Sequence, residues 1–162
     1  MDISDLIDAM EDELTPLVRI DFTDDAAWAA VVRAVRTPVT YPGEEPIEPD
    51  VVVVDDRAYD GVTPTALGEQ AVQEGGGLGY ALLADARSMA EAAGGGEVTV
   101  AYVDLSVEDE EDAELLDSFP GNTFRCVTGE IASIEVNLNL ANLDFSDFAS
   151  AVQGDGVYRG AE

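Results

Sequence analysis

Residues 51–54 are four consecutive valines. β-branched side chains favour extended backbone, and successive side chains along a strand point to opposite faces. A run that is apolar at every position therefore needs cover on both of its faces. That requirement excludes a sheet with one wet face. It predicts a sheet between helical layers, with residues 48–56 as a central strand. The run ends in Asp55, Asp56 and Arg57, followed by a Tyr-Asp-Gly turn at 59–61. Those charges are either a site at a strand end or the place where a buried strand meets water.

Four more apolar runs, at 17–22, 79–85, 98–105 and 123–128, read as strands. Helical periodicity fills the intervals. Residues 1–16 place Ile3, Leu6, Ile7, Met10 and Leu14 on one face. This N-terminal amphipathic helix packs on its own domain or, alternatively, serves docking or dimerisation. Residues 23–36 form a helix capped by Thr23 or Asp24, with Trp28, Val31, Val32 and Val35 as its buried stripe. Thr63 and Pro64 open a third helix that stops at Gly75. Further helices are expected at 86–93, at 106–119 with Leu115, Leu116 and Phe119 facing inward, at 129–143, and at 147–153 after Ser146. The proline-rich stretch 37–50 is a loop. The expected fold is α/β, a single-domain sandwich around a largely parallel or mixed sheet of about five strands. Residues 1–16 form the leading helix and residues 17–162 one α/β domain.

The chain carries 35 acidic and 7 basic residues, a formal net charge of −28, and all seven cations are arginines. Such a charge repels itself unless salt screens it; the Debye length falls from about 10 Å at 0.1 M to about 3 Å at 1 M. Lysine depletion with many small apolar residues resembles proteins from cells holding molar salt. The charge excludes direct nucleic-acid binding, which needs cations against phosphate, and attraction to anionic membranes. No apolar run reaches the ~20 residues of a membrane span. The opening residues lack the basic region and apolar core of a signal peptide, so the cytoplasm is the expected compartment. A lone Cys126 forms no internal disulfide, and the absence of histidine removes His-based triads and ligands.

Chemistry is expected at the carboxyl ends of parallel strands, where open α/β sheets place ligands. Strand-end aspartates here are Asp21 (with Asp24 and Asp25), Asp55 and Asp56, Asp85, and Asp104. Arg57 and Arg87 follow two of them. The candidate sheet-edge site is therefore Asp21, Asp55, Asp56, Arg57, Asp85 and Arg87. One reading is that these arginines fork onto neighbouring carboxylates and tie loops together. The other is an anion or Mg²⁺ site, with metal held by Asp21, Asp55 and Asp85. Neither strand end carries the D-x-D-x-T/V pattern of aspartate phosphatases, and the lysine those folds use is missing. The glycine runs at 75–77 and 94–96 match neither phosphate-binding pattern.

Four segments, at 17–28, 54–64, 84–89 and 134–160, carry a family resemblance. The last reads IEVNLNLANLDFSDFASAVQGDGVYRG. It resembles an uncharacterised domain-of-unknown-function family, mostly actinobacterial, whose members end in N-L-x-x-A-N-x-D-F followed by D-G-V-[FY]-R-G. Here the pattern falls on Asn137, Leu138, Ala141, Asn142, Asp144, Phe145, Phe148 and residues 155–160, Arg159 included. The resemblance implies a fold and no mechanism. In physical terms Asn137 and Asn142 bond backbone near a helix exit, Phe145 and Phe148 anchor the last helix, and Arg159 pairs with Asp144 or Asp155.

The functional expectation is a halophile-type acidic cytoplasmic protein. It acts as a non-enzymatic interaction or regulatory domain of adaptor or immunity kind, with a protein partner, a possible homodimer and no cofactor. The alternative is a Mg²⁺-dependent phosphate-ligand binder or hydrolase that uses the strand-end aspartates.

Overall fold

The computed structural model describes residues 1–160, with seven α-helices around one six-stranded mixed sheet. The elements are α1 (Ser4–Glu11), β1 (Thr15–Arg19), α2 (Asp25–Arg36), β2 (Val51–Val54), α3 (Pro64–Gln73), β3 (Tyr80–Ala84), α4 (Ala86–Ala93), β4 (Thr99–Asp104), α5 (Glu110–Leu116), β5 (Asn122–Val127), α6 (Ile131–Asn139), α7 (Phe145–Ser150) and β6 (Val157–Tyr158). The strand order is β2-β1-β3-β4-β5-β6. β1 pairs in parallel with both β2 and β3, whereas β4 runs antiparallel to β3 and to β5; β6 is parallel to β5. Five of the six strands thus share one direction and β4 alone is reversed.

Side chains alternate between two cores. Leu17, Leu82, Val100, Tyr102, Phe124 and Cys126 face one side, beneath α2, α4, α6 and α7. Val18, Val54, Leu83, Ala101 and Val103 face the other, beneath α1 and α3. Ile3, just before α1, and Leu6 within it are fully buried there, and the Tyr59 hydroxyl donates to the Asp5 carboxylate, so the leading helix packs on its own domain. Gly68 of α3 lies against the turn before β5: a Cβ there would sit 2.4 Å from the Pro120 carbonyl oxygen. No other residue allows that close approach.

The helix starts follow local chemistry. Asp24 accepts from the Ala27 N–H, Thr63 from the Ala66 N–H with Pro64 in the first helical turn, and Asp85 from the Ser88 N–H. The expected helix at 129–143 forms as a short 3-10 turn at 128–130 leading into α6.

Three expectations are corrected. The valine strand β2 is an edge strand, not a central one. Val51 and Val53 pack toward one core and Val54 lies in the other, so an all-apolar strand reports helices on both faces and says nothing of how many strands flank it. Second, β4 runs backwards. The eight residues of α4 cover about 12 Å, the turn at 94–96 follows with Gly95 at φ +72°, and the chain re-enters the sheet at the rim it left. Third, α5 buries none of its residues. Leu115 is 80% exposed and Phe119 58% exposed, where inward packing was expected. The sixth strand, β6, lies in the segment expected only to close the chain.

Candidate functional site: two arginine clamps on the sheet rim

The carboxyl ends of β1, β2, β3 and β5 and the start of β4 meet at one rim. Asp21, Asp55 and Asp85 all lie there, while reversal of β4 puts Asp104 at the opposite rim. The rim is organised by two arginines that come from inside strands.

Arg19 ends β1 with its side chain only 5% exposed. Its guanidinium donates to Asp25 at 2.6 Å, to Asp55 at 3.4 Å and to the Asp21 carbonyl oxygen at 3.1 Å. It lies 4.5 Å from the Phe22 ring centroid and 5.6 Å from that of Trp28. Cation–π contact compensates a guanidinium that has left water. One side chain thereby ties β1 to the end of β2 and to the first turn of α2. The hydrogen bond from Arg19 lowers the Asp25 carboxyl below its ordinary value.

Arg125, in the middle of β5, makes the tighter clamp. It forks onto Asp85 at 2.6 and 2.8 Å and donates through Nε to the Thr99 hydroxyl at 2.6 Å. The Thr99 N–H and hydroxyl both donate to Glu91, at 2.9 and 2.6 Å, and Arg87 reaches the other Glu91 oxygen at 3.2 Å. Ser88 donates to the Thr99 carbonyl oxygen at 2.6 Å. Burial alone would raise the Asp85 carboxyl, but the Arg125 fork and the Ser88 N–H outweigh it and hold it below the ordinary value. The network joins β3, α4, β4 and β5.

The six candidate residues occupy different places. Asp85 sits in the Arg125 clamp, Asp55 on Arg19, and Asp56 accepts from the Ala58 N–H in the turn after β2. Asp21 accepts from the Thr23 hydroxyl at 2.6 Å and from its N–H, which lowers its carboxyl. Arg57 makes no ion pair with Asp55 or Asp56; its guanidinium lies 5.1 Å from the Phe22 centroid. Arg87 pairs with Glu91, one turn along α4, and not with Asp85. Among the described residues no group of three or more carboxylate or cysteine side chains is arranged to hold a metal.

The C-terminal pattern is structural in its contacts. Asn137 donates to the Ser133 carbonyl oxygen at 2.8 Å, and the Asn142 N–H donates to the Asn137 carbonyl oxygen. Asp144 begins α7, and its N–H donates to Asp147. Arg159 pairs with Asp155 at 2.7 Å and Glu97 at 2.9 Å, not with Asp144. Phe145, Phe148 and Tyr158 enter an aromatic cluster with Phe124, whose ring centroids lie 4.8, 5.9 and 6.3 Å from theirs.

Two buried carboxylates lie at the opposite rim with no ion-pair partner among the described residues. Asp104 accepts from the Ser106 and Ser118 hydroxyls at 2.5 and 2.6 Å. Glu135 of α6 accepts from the Thr15 hydroxyl and the Asp50 N–H, both at 2.7 Å. Burial pushes the Glu135 carboxyl up against those two bonds. Glu135 is absent from the sequence-based candidates; its signal is the lone acid among Ile131, Ala132, Ile134, Val136 and Leu138.

Among the described residues no helix is long and apolar enough to cross a membrane. No curated protein and no solved structure matches the chain. A family model described as a domain of unknown function, DUF6924, matches residues 14–161. That match spans all six strands and every helix except α1, and the chain belongs to this family.

Proposed function

We propose that this chain is a non-catalytic interaction or regulatory domain, of adaptor or immunity-protein kind, working in a cytoplasm of high salt. The observation that carries the reading is the state of the strand-end rim. The groups that a catalytic rim would present to substrate are engaged in fastening the fold: Asp85 by a bidentate fork, Asp55 and Asp25 by Arg19. The exposed Leu115 and Phe119 give the surface apolar contacts that a binding domain uses.

Affinity capture with the full chain as bait, from native cells in molar KCl, tests the proposal. A partner recovered at fixed stoichiometry is expected; its repeated absence sinks the reading. Calorimetry with Mg²⁺ in the same salt addresses the enzymatic alternative. A saturable site near one per chain that disappears in Asp21→Asn would favour that alternative.

A further inference from the structure

We propose that the outer edge of β2 is a strand-addition site that takes an extended, basic segment of a partner protein. The proposal rests on the interaction-domain reading and names the surface it uses.

Among the described residues β2 has a strand neighbour on one side only. The Thr15 N–H donates to the Asp50 carbonyl oxygen at 2.9 Å, and Thr15 is in register with Val51. Parallel pairing in that register turns the backbone groups of Val52 and Val54 toward β1 and those of Val53 outward. An exposed row of strand N–H and C=O groups is a template for another chain, and proteins normally blunt it with lysine, proline, a bulge or brevity. The far edge of the sheet uses brevity, since β6 has two residues. β2 has four valines with no charge and no proline among them, and three of the four are half-buried, not covered.

A groove of about 450 Å³ runs beside this edge, between it and α1. Its apolar lining is Ala9, Leu14 and residues 52–54; its acids are Asp5, Asp8 and Asp12 along α1, with Asp55 and Asp56 at the strand end. No cation lines it. The occupant is therefore specified twice. The backbone edge asks for an extended chain, with apolar side chains at alternate positions against the valines. The carboxylates ask for lysine or arginine at the positions between. A second copy of this chain is the poorer fit, because pairing β2 with β2 would set two rows of aspartate against each other in molecules already at −28. Four residues of strand correspond to about 13 Å, so the segment required is short.

A labelled peptide alternating lysine with valine or threonine is the probe, titrated against the full-length chain in molar KCl by fluorescence anisotropy. Saturable binding at one peptide per chain is expected, with slowed hydrogen exchange at the Val53 amide. A peptide of the same charge, N-methylated at several successive central residues, is expected to bind at least about tenfold more weakly, because both of its edges have lost donors. Val53→Pro, which removes an outward N–H and spares the bonds to β1, is expected to weaken binding similarly. Equal affinity for the methylated peptide, or no saturable binding, overturns the proposal even if the proline variant fails to fold. A concentration-dependent dimer abolished by Val53→Pro would assign the edge to a second copy and overturn it too. With Val53→Pro as bait in the affinity capture, a partner still retained removes this surface while leaving the interaction reading intact.

Discussion

Asp85 is a half-buried acid and Glu135 a buried one, and their partners give them opposite pH behaviour. Asp85 has its carboxyl lowered by a net excess of donors, so its contribution is present above the unfolded pKa and is lost as pH falls through the folded value. Glu135 has its carboxyl raised, so its contribution is present below the unfolded pKa and is lost as pH rises through the folded value. Asp85→Asn should cost about 2–3 kcal/mol at neutral pH, under the 3–5 of a fully buried pair because the Asp85 side chain is 29% exposed, and less in acid. Glu135→Gln should gain on the parent as pH rises. Denaturant unfolding across a pH series measures both, and parallel curves for the two variants would refute the assignment. The clamp residues themselves were legible in one respect: an arginine inside an apolar run, as at Arg19 and Arg125, is drawn out of water and requires a carboxylate partner within reach. Arg57 and Arg87, close after the aspartates in sequence, turn away from them: Arg57 lies over Phe22 and Arg87 pairs with Glu91.

At the level of elements, apolar periodicity located five strands and most helices, and the capping residues Asp24 and Thr63 marked true starts. Direction was not legible. The reversal of β4 depends on a short helix and a glycine turn, and nothing within Thr99–Asp104 distinguishes the two orientations. α5 was overestimated because Leu115 and Phe119 sit at helical spacing, yet no neighbouring element covers them. The leading helix is the sharper case. Leu6 is fully buried between α1 and the sheet, so Leu6→Ala should destabilise the chain by about 2–5 kcal/mol, like an interior leucine. Urea unfolding decides the matter: an unchanged midpoint would mean that α1 is held for a partner and not for its own fold.

For the whole molecule, the three-layer architecture followed from the valine run, while the strand order rests on pairings between distant segments that no single run records. Four of the seven arginines, Arg19, Arg87, Arg125 and Arg159, make all six ion pairs among the described residues, so most carboxylates have no cation beside them. Their mutual repulsion acts at surface distances and yields to screening, whereas the close Arg125–Asp85 fork is screened less. Thermal stability should therefore rise from 0.1 M to 1 M KCl, by about 2–4 °C for each kcal/mol of repulsion removed in a chain this size. A melting temperature unaffected by KCl would show that the excess charge carries little of the stability balance.

Cys126 is the single thiol of the chain, fully buried in β5, with its ionisation pushed up by that burial. Alkylating reagents attack the thiolate, so the native molecule is closed to them. Modification must wait for β5 to leave the sheet, and the rate of label uptake becomes a clock for the opening of that strand which the sequence already carries, with no engineered probe and no competing site.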